Sequence, residues 1–375
     1  RDGRAQRRLG GSNRGLERGG LSQAMSKTET GNFFEDFRLG QKLRHATPRT
    51  VTEGDRALYT ALTGSRFALQ SADSFAQNCG LHAAPLDDLL VFHIVFGKSV
   101  PDISLNAVAN LGYALCRFGV PVYPGDSLSA VSEVIGLREN SNGKTGVVWV
   151  RTVGRRQDDA VVLDYVRWVM VNKRDPSAPA PEAVVPDLPG SVPADSLRIP
   201  EGLQFRGYDP ELAGSPYLWD DYSDGELIDH LDAMTLEEAE HQLATRLYQN
   251  TAKVHFDQLA ANENRFGRRI VYGGHVISIA RALSFNGLAG AVKILGINSG
   301  RHVSPTFAGH TISAWSEVLQ CHEVRGRRDL GVLRLRSLAV KDRRCNDFPD
   351  TDAEGKPDPS VVLDLDYTVL MPRHC

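Results

Sequence analysis

The chain has 375 residues, of which 41% are hydrophobic and 24% charged, so its length predicts two or three globular domains that can each bury a core. Its 43 Lys and Arg against 46 Asp and Glu give a net charge of -3, which favours neither nucleic acid nor a membrane surface as a partner. Its five cysteines include no CxxC pair, which argues against a zinc ribbon, a redox dithiol or a disulfide framework and indicates a reducing, cytoplasmic compartment.

The first 24 residues are rich in Arg and Gly and lack the apolar stretch that a secretory signal needs. We predict a disordered extension over residues 1–31, with an organelle-targeting or RNA-binding arm as the alternative. The longest apolar run, residues 89–96, is interrupted by His93 and is far shorter than the roughly 20 residues that cross a bilayer. The sequence therefore predicts no membrane-spanning helix.

An internal repeat organises the remaining chain. The segment PVYPGDSLSAVSEV at residues 121–134 recurs as PTFAGHTISAWSEV at 305–318, and VVLD at 161–164 recurs at 361–364. The offset grows from 184 to 200 residues, which predicts a surface loop in the polar stretch around 342–358. Between the copies, residues 175–200 contain seven of the 19 prolines and predict an extended linker.

The predicted elements follow the same order in both copies: one apolar helix, then strands rich in Val and Leu. The helices are predicted at residues 89–98 and 274–285. An Asn-Gly hairpin turn at 142–143 precedes the first strands. The strands are predicted at residues 147–153, 161–171, 330–340 and 361–371.

Each helix is apolar on most faces and must therefore be covered on most faces. A strongly bent antiparallel sheet around a single helix is an economical way to cover it. We therefore predict an α+β tandem (double) hotdog fold, with the sheets of the two copies joined edge to edge in one chain. The predicted domains are an N-terminal hotdog over residues 32–174, a Pro-rich linker over 175–217 and a C-terminal hotdog over 218–375.

The second copy carries residues that suit proton transfer at an acyl thioester. His255 lies in the segment NTAKVHFD at residues 250–257, and its imidazole can titrate near neutral pH. The following segment, VYGGH at 271–275, opens the apolar helix, where the backbone N–H groups of Gly273 and Gly274 would hold an enolate oxygen. No Cys or His cluster has metal-ligand spacing, so we predict no metal.

This arrangement resembles the MaoC-type, R-specific enoyl-CoA hydratases, whose pattern Asp-x-Asn-Pro-x-His-x-Asp leads to a His-Gly entry into the central helix. His255 and Asp257 fall on the His and the second Asp of that pattern, whereas Asn250 replaces the catalytic Asp. In the first copy, Ser65 and Gln70 fall on the Asp and His positions. Because Gln cannot move a proton near neutral pH, we assign the chemistry to the second copy alone.

Over residues 32–373 the chain is similar to the mesaconyl-CoA hydratases, a double-hotdog branch of this group, through FFEDF at 33–37, ALTGSRFALQ at 61–70, RFGRRIVYGGH at 265–275 and VVLDLDY at 361–367. The resemblance implies reversible hydration of mesaconyl-CoA (2-methylfumaryl-CoA) to β-methylmalyl-CoA. It implies no cofactor, since CoA is part of the substrate. An acyl-CoA thioesterase and a non-catalytic acyl-CoA binding protein are the alternatives. A homodimer or higher homo-oligomer is expected.

The expected catalytic roles follow from this resemblance. His255 is the base or acid, Asp257 either orients it or caps a helix, and Asn250 hydrogen-bonds the water or hydroxyl. One proton-transfer role stays open, because His255 could serve both steps or a carboxylate, Glu238 or Glu240, could enter.

The distal carboxylate of such a substrate requires a cationic group. Arg265, Arg268 and Arg269 are the nearest candidates in sequence. Tyr272, just before the glycines, is a further expected substrate-binding residue, whereas His275 is expected to be structural.

Overall fold

Four long antiparallel strands in each half of the chain wrap around one buried helix. The computed structural model describes residues 27–28, 30–352 and 354–374, so the predicted extension over residues 1–31 lies almost wholly outside them. The described strands are β1 (Lys42–Arg44), β2 (Arg49–Thr50), β3 (Ala107–Phe118), β4 (Ser127–Glu139), β5 (Thr145–Arg155), β6 (Val161–Asn172), β7 (Leu227–Thr235), β8 (Lys293–His302), β9 (Thr311–Glu323), β10 (Leu330–Lys341) and β11 (Val361–Pro372).

The helices lie mainly before the long strands of each half. They are α1 (Glu53–Thr63), α2 (Ala68–Ser71), α3 (Asp73–Asn78), α4 (Asp88–Ile103), α5 (Pro210–Ala213), α6 (Glu238–Leu247), α7 (Gln258–Asn262), α8 (Gly273–Leu283) and α9 (Phe285–Leu288). Among the described residues, no helix has the length and apolar character to span a membrane.

All the strands named above belong to one antiparallel sheet. Its order is β1-β4-β5-β6-β3-β8-β11-β10-β9-β7, with β2 paired to β4. Strands β3 and β8 meet at the centre, where Tyr113 pairs with Gly300 and Cys116 pairs with Ile297. The expected edge-to-edge joining of the two copies in a tandem hotdog is therefore confirmed.

The repeat and the predicted elements coincide with the observed ones. Strands β4 and β9 have the same length and are offset by 184 residues, and β6 and β11 are offset by 200. The four predicted strands become β5, β6, β10 and β11, and the two predicted helices become α4 and α8. The hairpin turn is also confirmed, since Gly143 adopts φ 65° between β4 and β5.

Helix α4 is buried on nearly every face, as its composition predicts. Of its 16 residues, 14 are buried, and the Asp87 carboxylate caps its first turn by accepting from Leu89 N at 2.9 Å. Asp88 forms a buried ion pair with Lys293 of β8 and accepts from Ile294 N at 2.9 Å. These contacts fix the start of α4 to the central strand of the other half.

The proline-rich segment crosses between the halves. Residues 173–209, all of them described, contain one 3-10 turn (Ala194–Ser196) and one isolated bridge, between Val184 and Leu137. Val192 N donates to the side chain of Asn298 at 2.9 Å, so this segment contacts both halves. From Gly31 onward the chain clusters as one unit, and the proposed domain limits stay predictions.

Candidate functional site

His255 ends a 3-10 turn, Lys253–His255, and its imidazole has a defined orientation. Nδ1 lies 2.8 Å from the carbonyl oxygen of Ile270, so Nδ1 carries the hydrogen and Nε2 is the basic nitrogen. Burial lowers the pKa of His255 to about 4, although the hydrogen bond to Ile270 acts in the opposite direction. At neutral pH the ring is therefore uncharged, and Nε2 can accept a proton.

Of the two roles expected for Asp257, the structure shows the helix cap. Its carboxylate caps α7, accepting from Leu259 N at 2.9 Å and Ala260 N at 3.2 Å. The orienting contact to His255 comes from the carbonyl of Ile270 instead. A carboxylate directly before a helix is drawn to the unpaired N–H groups of the first turn, which explains the difference.

Asn250 holds the loop that leads to His255. It is 4% exposed, and its side-chain oxygen accepts from Ala252 N at 3.0 Å. The loop also packs against the other half, because a Cβ added to Gly97 of α4 would overlap the carbonyl oxygen of Tyr248. A glycine in the middle of α4 thus lets the loop approach the helix backbone.

Helix α8 begins at the predicted glycine pair. Tyr272 precedes it without a side-chain cap, so the first N–H groups of the helix have no acceptor within the helix. A Cβ added to Gly273 would lie 2.5 Å from the ring of His302, and one added to Gly274 would lie 2.5 Å from the ring of Tyr272. The glycines therefore provide unpaired amides and also admit two rings close to the backbone.

Four further histidines surround this site, and spacing in the sequence did not reveal them as a group. Burial lowers the pKa of each, to about 4 for His275 and His302. Repulsion from another protonated ring acts in the same direction on His93, His275 and His302, whereas on His241 the charge of Arg269 does so against the opposing effect of Glu238. The four are His93 of α4, His241 of α6, His275 of α8 and His302 of β8. Among the described residues they form no metal-binding group of three ligands.

A chain of hydrogen bonds runs from Tyr272 into the first half. The Tyr272 hydroxyl lies 3.4 Å from Nδ1 of His93, whose Nε2 is 2.8 Å from the hydroxyl of Ser278. The Tyr59 hydroxyl donates to Ser278 at 2.9 Å and lies 3.4 Å from Asp87. The Tyr272 and His255 ring centroids are 5.6 Å apart, so this chain ends beside His255.

The corresponding place in the first half is built differently. Gln70 Nε2 donates to the carbonyl of Val292 at 2.7 Å, and Ser65 donates to Asp87 at 3.2 Å. Leu89 and Leu90 are fully buried where the second half has its two glycines. A small cavity here is lined by Tyr59, Ser65, Gln70 and Asp87 together with Arg56 and Leu90.

The three predicted arginines are held by neighbouring groups. Arg265 is exposed, with its guanidinium carbon 4.5 Å from the ring centroid of Phe266. Arg268, also exposed, donates to the carbonyl of Ala308 at 2.9 Å. Arg269 donates to the side chain of Gln242 at 2.9 Å and forms an ion pair with Glu238. Their role toward the substrate stays a prediction.

The two candidate carboxylates contact groups other than His255. Glu238 lies 3.2 Å from Nε2 of His241, and its side chain is 51% exposed. Glu240 is exposed on the same helix, α6. Tyr272, in contrast, is buried, and its ring centroid lies 5.6 Å from that of His255.

The comparisons with known proteins decide the family. The model of the family described as mesaconyl-CoA hydratase matches residues 20–350, which is most of the chain. This chain belongs to the mesaconyl-CoA hydratase family.

Two curated relatives show how closely the chain matches this family. It is 67% identical over 348 residues to beta-methylmalyl-CoA dehydratase of Chloroflexus aurantiacus, which covers 93% of this chain and 99% of that protein. It is 60% identical over 347 residues to mesaconyl-CoA hydratase of Cereibacter sphaeroides, which covers 92% of this chain and 100% of that protein.

Solved structures give the same fold. A crystal structure of a MaoC domain protein dehydratase from Chloroflexus aurantiacus is 66% identical, with a TM-score of 0.91, and covers 93% of this chain and 100% of that one. A Mycobacterium tuberculosis protein with a double hotdog fold is 26% identical, with a TM-score of 0.73, and covers 92% of this chain and 99% of that one. The tandem hotdog architecture is thus confirmed for this member of the mesaconyl-CoA hydratase family.

Proposed function

We propose that this chain is a hydro-lyase that reversibly hydrates mesaconyl-CoA to β-methylmalyl-CoA. Membership of the mesaconyl-CoA hydratase family supports this activity, and the two curated relatives carry the names of its two directions. The observation that carries the proposal is the neutral imidazole of His255, whose ring centroid lies 5.6 Å from that of Tyr272, the residue directly before the uncapped start of α8.

In the hydration direction, His255 acts as the base. Its Nε2 takes a proton from water while the water oxygen forms a bond to Cβ of the enoyl thioester. The electron pair of the double bond moves toward the thioester carbonyl, whose oxygen becomes an enolate oxygen. The N–H groups of Gly273 and Gly274 would stabilise that oxygen, because fixed donors in a buried site act strongly on developing charge.

Tyr272 is the group that we assign to the second proton transfer, to Cα. Burial raises the pKa of its phenol well above the ordinary value, so the hydroxyl stays protonated and can donate. Burial and the neighbouring charge of Asp88 also raise the pKa of Asp87 at the far end of the chain. In its protonated form, which the raised pKa favours, Asp87 can donate to Tyr59, and every hydroxyl and imidazole from there to Tyr272 can donate toward the site.

The protons balance along this route. As Tyr272 gives its proton to Cα, His93 passes one to Tyr272, and Ser278 and Tyr59 relay one from Asp87. Asp87 is only partly buried and regains its proton from the solvent. His255 releases to the solvent the proton that it took from the attacking water. Water therefore adds across the double bond without net consumption of protons.

Three further expectations accompany this function and stay predictions. The reaction requires no cofactor, because the CoA group belongs to the substrate. The enzyme acts in the cytoplasm, and it assembles as a homodimer or a higher homo-oligomer. Light scattering after size-exclusion chromatography measures the assembly directly.

The direct test follows mesaconyl-CoA with the purified full chain. We expect the enoyl-thioester absorbance to fall and the product mass to increase by one water. A thiol reagent in a parallel sample detects CoA release, which would identify a thioesterase. Tight binding of mesaconyl-CoA without either change would identify a binding protein and refute the hydratase assignment.

A further inference from the structure

Arg167 of β6 is a fully buried cation, and no carboxylate among the described residues pairs with it. Nη2 donates to the hydroxyl of Ser99 at 2.8 Å and Nη1 to that of Ser104 at 3.3 Å, while Nε has no partner among the described residues. Its guanidinium carbon lies 4.2 Å from the ring centroid of Phe96. Hydroxyls and a ring leave the positive charge uncompensated, and a buried charge without a counter-ion is costly.

Tyr165 presents a second unused polar group beside it. Residues two apart on a strand face the same side of the sheet, so Tyr165 and Arg167 point into the same layer. Tyr165 is fully buried, and its hydroxyl forms no hydrogen bond among the described residues, although the nearby hydroxyls of Ser99 and Thr152 moderate the rise in its pKa that burial causes. An anion with two oxygens would satisfy both groups, and a carboxylate matches the guanidinium fork.

These groups lie next to the candidate site. Phe96, which stacks on Arg167, has its ring centroid 5.6 Å from that of Tyr272. On the other side, the Tyr113 hydroxyl is 3.1 Å from Nε2 of His302, the ring that faces Gly273. One aromatic ring therefore separates Arg167 from the residue that precedes the start of α8.

Arg281 of α8 shows how this fold compensates a buried arginine elsewhere. It is 7% exposed and donates to the Ser284 hydroxyl and the Ala291 carbonyl. Burial lowers its pKa, but Tyr367 and the carboxylates of Asp87 and Asp88 favour its protonated form. Only tyrosines play that part at Arg167. The fold does not require a cation at position 167, because the repeat places Tyr367 at the equivalent position of β11.

We propose that Arg167, assisted by Tyr165, binds the free carboxylate of a dicarboxylic acyl-CoA thioester and selects such esters over monocarboxylic ones. This inference rests on the proposed function, because that function seats the acyl group near Tyr272. It assigns the carboxylate to the first half of the chain, whereas Arg265, Arg268 and Arg269 belong to the second.

The test compares binding of succinyl-CoA and butyryl-CoA by calorimetry. Both have four-carbon acyl chains, one ending in a carboxylate and the other in a methyl group, and neither has a double bond to hydrate. We expect the full chain to bind succinyl-CoA roughly 30-fold or more tightly, since a buried charge pair has an effect of that order. Arg167→Met should abolish the preference and keep butyryl-CoA binding, and Arg167→Lys should retain part of it.

Arg281→Met is the matched control, since it removes the other buried guanidinium and should leave the preference intact. If the unsubstituted chain binds both esters equally, the inference is overturned, and that measurement requires no variant to fold. A preference that persists in Arg167→Met also overturns it. Hydration of mesaconyl-CoA, measured separately, keeps the two proposals distinct: hydration without the preference refutes only the role of Arg167, and the preference without hydration refutes only the hydratase.

Discussion

The two halves share one architecture but differ where each buried helix begins. In the second half, Gly273 and Gly274 leave the first amides of α8 unpaired near His255. In the first half, Leu89 and Leu90 fill the same place, and Gln70 replaces the imidazole. The first half nevertheless supplies His93 and Tyr113, together with Asp87 and Arg167, around the site of the second. The second copy thus carries the reacting group, and the first copy supplies residues that surround it.

The largest expected effect tests directly whether the two halves differ in their chemistry. His255→Ala removes the proposed base and should lower kcat/KM for mesaconyl-CoA hydration by about 10⁴-fold, near the upper end of the range for general acid–base catalysis. Gln70→Ala changes the equivalent residue of the first half and should change the rate less than about 10-fold. Steady-state kinetics of both variants measure the contrast. Equal losses would show that both halves, rather than the second alone, carry the chemistry.

The next effect concerns the glycine pair. Gly274→Ala places a methyl group 2.5 Å from the Tyr272 ring, so the ring and the first turn of α8 must shift. We expect a loss of about 10²- to 10³-fold in kcat, comparable to the loss of one oxyanion donor. Gly54→Ala, in the first turn of α1, meets no close backbone and serves as the control. An unchanged kcat in Gly274→Ala would remove the glycine amides from the mechanism.

A smaller effect measures the contribution of the first half to proton transfer. Tyr272→Phe deletes only the hydroxyl that ends the hydrogen-bond chain through His93. We expect kcat to fall about 10²-fold with KM little changed, at the lower end of the acid–base range because burial holds the phenol pKa far from neutral. Asp87→Asn, at the other end of the chain, should lower kcat in the same direction but less. If neither variant alters kcat or its pH profile, His255 serves both proton transfers.

The remaining prediction concerns stability and its dependence on pH rather than the rate. Burial lowers the pKa of His230 and His275, both in the second half, to about 4. In the unfolded chain these rings take up protons below about pH 6.5, whereas the folded chain resists until about pH 4. The free energy of unfolding should therefore fall as the pH drops from 6.5 to 4, by up to about 1.4 kcal/mol per pH unit for each ring. Urea unfolding at several pH values measures the slope, and His275→Asn should reduce it.

The sequence predicted most of the fold because the repeat reports on the architecture directly. Two copies of one strand pattern, each following an apolar helix, leave few arrangements that bury both helices, and α4 and α8 begin within one residue of the predicted positions. The four predicted strands left out the long strands β3, β4, β8 and β9, although β4 and β9 lie in the repeated segments. They also left out the strands β1, β2 and β7. Their edge positions leave one side unpaired, so the alternation of buried and exposed residues along them is weak.

The site was predicted only as far as local sequence reaches. His255 and the glycines lie within 20 residues of one another, so one motif contained them. His93, Tyr113 and Arg167 come from three elements of the other half. The pairing of β3 with β8 and the contact of α4 with α8 bring them near. A usable signal existed at Arg167, a lone cation within the apolar run VVLDYVRWVMV, at a position where the repeat has Tyr367.

Gly97 gives the tandem arrangement a further consequence. A glycine inside a helix normally weakens it. Here the absence of a side chain at Gly97 lets the Tyr248–Asn250 turn pack directly against the backbone of α4. Each repeat contains a complete buried helix and most of a sheet. The segment that carries the imidazole, however, packs against the helix of the opposite repeat. The smallest part of the chain able to perform the reaction is therefore the two repeats together. Separating them would remove the contact that positions the imidazole.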